Sequence, residues 1–177
     1  MNKRTVLVMI FMVFLIMLLL PASSCKLIVK KDAKLIEVIK SELGITEGEP
    51  SEEDIQSMSI LSGNEKEIAD ISNLADAANL EILNLNNNQI ADISPLSNLT
   101  KLKVLNLNGN QIVDVSPLKG LINLENLGLN NNQIIDISQL AGLTNLKVIG
   151  LSGNQVADIS SLKDLTNLEV ISLENNK

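Results

Sequence analysis

Histidine, tryptophan and tyrosine are absent from the 177 residues, cysteine occurs once and phenylalanine twice. Without imidazole there is no His-based triad, no His-containing zinc site and no side chain that ordinarily titrates near neutrality. The single cysteine, Cys25, excludes an intramolecular disulfide. Arg4 is the only arginine, and Phe11 and Phe14 are the only aromatic residues, so everything after residue 24 lacks both. Acidic residues outnumber basic ones by 21 to 14, a formal charge of −7. Phosphate backbones need a basic face and single strands need aromatic platforms, which excludes nucleic acid as a partner. No P-loop, G-x-G-x-x-G or G-x-S-x-G string occurs.

What is present begins with an export pattern. Lys3 and Arg4 precede an apolar run from Val6 to Leu20, closed by Pro21 and the small-residue stretch Ala22-Ser23-Ser24-Cys25. A membrane-spanning helix wants about 20 apolar residues, and this run is shorter. The tail resembles the lipobox of bacterial lipoproteins, with Ala22 where leucine is usual. That resemblance implies acylation of Cys25 and loss of residues 1–24. Acylation, ordinary cleavage nearby and retention as an uncleaved anchor all place the remainder outside the cytoplasm. Loss of residues 1–24 removes two basic residues, moving the charge from −7 to −9 (12 basic against 21 acidic).

A period of 22 residues organises the rest. Full copies begin at Leu80, Leu102, Leu124 and Leu146, and a fifth opens at Leu168. The first, LEILNLNNNQIADISPLSNLTK, sets the apolar skeleton Leu80, Leu83, Leu85, Ile90, Ile93, Leu96 and Leu99. Within L-x-L the alternation is that of a strand. Stacked copies then form a parallel sheet, five coils extending on the order of 24 Å at the usual strand spacing. One coil cannot stand alone. Burying seven aliphatic side chains yields roughly 10–20 kcal/mol, while fixing the backbone of a coil costs roughly 20–40 kcal/mol. Stability therefore comes from neighbouring coils.

The copies match the leucine-rich-repeat pattern L-x-x-L-x-L-x-x-N-x-I, and their D-I-S-P-L tail resembles the short repeats of internalins, surface proteins of Gram-positive bacteria. The resemblance implies an α/β fold: a leucine-rich-repeat solenoid wound as a right-handed coil, with a parallel sheet on its concave face and short 3-10 or turn segments on its convex face. The string DAKLIEVIKSELG…PSEEDIQSMSIL resembles the helical amino-terminal cap of internalin-like domains. The expected organisation is a signal peptide at 1–24, a tether at 25–31, a helical cap at 32–58, a degenerate first repeat at 58–79 and repeats at 80–177.

Local signals agree with a cap. Asp32 is placed to start a helix carrying Leu35, Ile36, Ile39 and Leu43, with Gly44 as its stop, and a second helix starts at Ser51. In the degenerate copy Met58, Leu61, Ile68, Ile71 and Leu74 hold apolar slots, while Gly63 and Lys66 break the leucine and asparagine positions. At the other end Leu168, Ile171 and Leu173 open a coil that lacks its convex half. An open strand edge over unburied aliphatics invites self-association or docking there.

Two polar columns run through the repeat. Asn88, Asn110, Asn132, Asn154 and Asn176 stand where the chain leaves the strand, and a buried amide there must find partners, so a structural ladder joining adjacent coils is expected. Asp70, Asp92, Asp114, Asp136 and Asp158 are followed two residues later by serine. Calcium needs six or more converging oxygens. A line of single carboxylates about 5 Å apart offers few at any step, so turn formation and helix capping by these residues is the expectation. Pro95 and Pro117 then occupy first helical positions behind capping serines.

The outward strand positions are the binding candidates. One column is Asn84, Asn106, Gly128, Gly150 and Ser172; the next is Asn86, Asn108, Asn130, Ser152 and Glu174; a third is Ile82, Val104, Asn126, Val148 and Val170. A carboxylate pair such as Asp92 and Asp114 could in principle serve a glycosidase, but its repetition in every coil speaks for scaffold duty. The expected function is thus a non-catalytic, cofactor-free protein-interaction module, with a protein ligand and a membrane attachment through Cys25 if acylated. The alternative is a structural spacer or a remnant of a longer surface protein. An intracellular phosphatase-regulating subunit shares the repeat length but not the signal. Interface hot spots favour Trp, Tyr and Arg, all missing here, so binding is expected to be weak or dependent on avidity.

Overall fold

In a computed structural model of the chain, the described residues are 32–177; the signal, the tether and Cys25 lie outside them. Helix α1 spans Ala33–Leu43 and begins where Asp32 accepts the Lys34 and Leu35 N–H groups. Its buried face is Leu35, Ile36, Val38 and Ile39, and it ends at Gly44, whose φ of 67° suits a residue without Cβ. Helix α2, Glu52–Ser57, opens with a capping box in which Ser51 and Asp54 bond reciprocally to each other's backbone N–H.

Six three-residue strands follow: β1 (Ile60–Ser62), β2 (Ile82–Asn84), β3 (Val104–Asn106), β4 (Asn126–Gly128), β5 (Val148–Gly150) and β6 (Val170–Ser172). They form one parallel sheet in sequence order. The register advances by one repeat per strand, aligning Leu61, Leu83, Leu105, Leu127, Ile149 and Ile171. The count is six rather than five because the degenerate copy also contributes a strand: Leu61 fills the inward slot as fully as Leu83 does. On the convex side run 3-10 turns at Ser72–Asp76, Ser94–Leu96, Ser116–Gly120, Ser138–Leu140 and Ser160–Leu162.

One continuous aliphatic core threads the coils, from Leu35 and Ile39 in α1 to Leu162 and Leu165. The cap closes its amino-terminal end by shape and by polar ties. A side chain at Gly63 would press on Val38, Ile68 and Leu85, so the missing leucine leaves room for the Val38 side chain of α1. Asp32 Oδ2 also accepts from the Ala69 and Asp70 N–H groups, joining the start of α1 to the first coil, and Lys34 pairs with Glu67. At the other end of the described residues Ile171 is 46% exposed, whereas its counterparts in β1 to β5 are essentially inaccessible.

Candidate functional site: the concave sheet face

Period-two alternation turns every second strand side chain outward, so each outward position becomes a column along the sheet. Of the three columns of binding candidates, the aliphatic one has the most exposed members within the strands. Ile60 is 45% exposed, Val148 36% and Val170 50%, with Ile82, Val104 and Asn126 half-buried between them.

The polar columns are largely engaged with themselves. Asn106 Nδ2 donates to Asn84 Oδ1 at 2.7 Å. Asn64 Oδ1 accepts the backbone N–H and side-chain Nδ2 of Asn86, whose own Oδ1 accepts both from Asn108. The series continues as Asn130 N–H to Asn108 Oδ1 and Ser152 N–H to Asn130 Oδ1, and the Ser152 hydroxyl donates to Glu174. Gly128 and Gly150 do not open a cleft, because the Asn108 and Asn130 amides lean over them. A Cβ on Gly128 would lie 2.7 Å from Asn108 Nδ2, and one on Gly150 2.5 Å from Asn130 Nδ2. Ser172 closes its column on β6, half-buried. These binding candidates thus lie together on one face, with most of their polar atoms already paired.

Beside them runs a column that the repeat reading overlooked: Glu81, Lys103, Glu125, Lys147 and Glu169. Lys103 Nζ bonds Glu81 Oε2 at 2.7 Å and Lys147 Nζ bonds Glu125 Oε2 at 2.6 Å. The hydrogen bond and the opposite charge hold Glu81 and Glu125 below the ordinary carboxylate range and push Lys103 and Lys147 up. The signal was available as a sign that alternates from copy to copy at the second repeat position.

Asn88, Asn110, Asn132 and Asn154 are buried behind the sheet. Asn110 Oδ1 accepts from Ile90 N–H, and its Nδ2 donates to the Leu85 and Leu107 carbonyls, spanning two coils. Asn88, Asn132, Asn154 and Asn176 bond the corresponding groups of their coils. This column sits inside the wall and offers nothing to a ligand.

On the convex side Asp70, Asp92, Asp114, Asp136 and Asp158 each accept the N–H of the serine two residues on, at 2.8 Å. These serines begin the 3-10 turns as helical residues rather than capping them. The hydroxyls of Ser94, Ser116 and Ser138 donate back to the aspartates, so aspartate is the turn-setting residue. Hydrogen bonds from Ser116 and Ser160 keep the Asp114 and Asp158 carboxyls low. Among the described residues no group of three or more carboxylate, thiol or imidazole side chains is placed to hold a metal.

A family model for leucine-rich repeats in two copies matches residues 78–120, 100–142, 122–163 and 144–177. The chain belongs to the leucine-rich-repeat family. Within it the chain is internalin-like. An internalin (inlF) from Listeria monocytogenes is 34% identical, with a TM-score of 0.70, over 82% of this chain and 50% of the other. Internalin C2 (inlC2) of the same species is also 34% identical, with a TM-score of 0.62, over 82% and 75%. A plant peptide hormone receptor, RGFR1, solved in complex with RGF2, is 26% identical, with a TM-score of 0.54, over 60% and 18%. The leucine-rich-repeat chain thus spans about half the length of the first of these internalins. No curated protein gives a significant match. Leucine-rich-repeat domains are typically non-catalytic modules for protein–protein interaction. No helix among the described residues is long and apolar enough to cross a membrane.

Proposed function

We propose that this chain is a non-catalytic protein-interaction module displayed outside the cytoplasm, held at the membrane through a lipid on Cys25, and that it meets its partner with the concave sheet. The observation that carries the reading is the aliphatic column Ile60–Ile82–Val104–Val148–Val170, interrupted by Asn126 and exposed at Ile60, Val148 and Val170, on an otherwise polar and largely self-bonded sheet. Accessible apolar area is what a partner surface can desolvate, and the Asn86 and Asn108 amides beside it are already bonded through both side-chain polar atoms. The likeness to internalins and to a plant peptide hormone receptor supports the location. The export pattern of residues 3–25 supports it independently.

The test has two arms. In the first, bacteria displaying the full chain are assayed for adhesion to neighbouring or host cells, beside the triple variant Val104→Glu, Val148→Glu, Val170→Glu. Loss of adhesion with unchanged circular dichroism supports the concave face; equal adhesion removes it. In the second, Cys25→Ala should shift the protein from the membrane to the soluble fraction, with the native mass showing the acyl chains. Unchanged membrane association ends the lipid reading. A second reading, a spacer with no ligand, is favoured by the mutual bonding of Asn84, Asn106, Asn86, Asn108 and Asn130. It is the outcome if the wild-type chain adheres to nothing.

A further inference from the structure

We propose that the assembly unit of this solenoid is a pair of coils, 44 residues long, and that a coil of one kind accepts the other kind as its neighbour. Two columns alternate, and they do so in phase. The first is Glu81, Lys103, Glu125, Lys147 and Glu169, joined by the ion pairs of Lys103 with Glu81 and of Lys147 with Glu125. The second lies at the left-handed turn that leaves each strand. It reads Asn87, Gly109, Asn131, Gly153 and Asn175, with φ values of 55°, 67°, 54°, 70° and 57°. A Cβ at Gly109 would collide with Asn87 Oδ1, and a Cβ at Gly153 with Asn131 Oδ1. Asn87 and Asn131 therefore lie across the backbone of the following coil and need a glycine there.

Glutamate always travels with asparagine, and lysine with glycine. The apolar slots carry no such alternation, since Leu83, Leu105, Leu127 and Ile149 are interchangeable in size and burial. The pairing rule is thus written wholly on the rim of the concave face, where it selects neighbours without touching the core. Like charges directly opposite on adjacent strands repel, which is the physical basis of the selection. A consequence is that Glu81 with Lys103 and Glu125 with Lys147 are neutralised as pairs and are not the part that recognises a partner.

Excision of residues 102–123 places Glu81 beside Glu125 and Asn87 beside Asn131. Excision of 102–145 places Glu81 beside Lys147 and Asn87 beside Gly153, a correct junction in a shorter protein. The decisive variant is Glu81→Lys. In the full chain it sets a second ammonium group against Lys103 and should lower the thermal midpoint by about 1–4 °C. In the chain lacking 102–123 it restores strict alternation and should raise the midpoint by a similar amount, both shifts shrinking in 1 M salt, where the screening length is about 3 Å. In the chain lacking 102–145 it should again be destabilising. A shift of the same sign in all three chains overturns the proposal. If the single excision does not fold, the full chain decides. Lys103→Glu alone should lower the midpoint, and inversion of all five charges together should return it to the wild-type value; an inverted chain no more stable than the single variant overturns the proposal equally.

Discussion

At Asn110 one carboxamide serves four backbone groups inside the wall. It accepts from the Ile90 N–H, which bonds nothing else among the described residues, and donates to the Leu85, Leu107 and Asn108 carbonyls. Of these, Leu85 and Leu107 also accept from Asn88 and Asn132. The residue is 7% exposed, so water does not replace what the side chain supplies. Each stranded buried group costs about 1–3 kcal/mol. Asn110→Ala strands the Ile90 N–H while the Leu85 and Leu107 carbonyls keep their second amide donors, and should therefore lower unfolding stability by about 1–3 kcal/mol, as read from the urea midpoint. Asn176→Ala removes the same set of bonds at the half-buried end of the column, where solvent can substitute, and should cost distinctly less. Equal losses at the two positions would show that burial is not what makes the ladder matter. Repetition made these asparagines legible in the sequence, because one slot filled in every coil names a structural need. The charged rim at Glu81 and Lys103 was hidden by the same repetition: a search for what recurs in each copy passes over what alternates.

Helix α1 is attached through its buried apolar face and the Lys34–Glu67 pair, and one carboxylate adds both its cap and a clasp to the first coil. Asp32 caps it through the Lys34 and Leu35 N–H groups and clasps the first coil through Ala69 and Asp70. Partial burial alone would raise its pKa, but the four backbone donors outweigh that and hold the carboxyl below its ordinary value of 3.8. A carboxyl with a depressed folded-state pKa contributes stability that is present above the unfolded value and lost as pH falls through the folded one. The prediction is made for Asp32→Asn, which cannot ionise. The stability gap between wild type and variant should be constant from about pH 7 to pH 5 and close as the pH falls below about 4. Thermal midpoints measured across that range check it, and a gap that ignores pH would mean Asp32 acts by shape alone. The start and stop of α1 could be read from Asp32, Gly44 and the spacing of Leu35, Ile36 and Ile39. Its fit to the solenoid could not, because the relation between Val38 and the absent side chain of Gly63 joins residues that no local pattern connects.

At the scale of the whole array, among the described residues, the same interface is repeated, yet the first and last coils differ. At the amino-terminal end α1 covers the first coil, and Leu61 and Ile68 are fully buried. At the other end β6 bonds only to β5, Ile171 is 46% exposed, and Ile159 is 48% exposed although its equivalents Ile93, Val115 and Ile137 are about 1% exposed. In a nearest-neighbour array a coil with one neighbour is held by one interface, whereas an interior coil is held by two. Opening should therefore start at β6 and move toward the cap rather than from both ends at once. Native-state hydrogen exchange on the 177-residue chain tests this directly. The Leu151 and Gly153 N–H groups, which donate to Ser172 and Glu174, should exchange well before those of Leu85 and Asn87, which donate to Asn106 and Asn108. Denaturant should raise the exchange rates of the first pair less steeply, because opening one coil exposes less surface than unfolding the whole array. If all four amides exchange together with the same denaturant dependence, the coils unfold as one cooperative block, and pairing on one side only at β6 in the 177-residue chain has no energetic consequence.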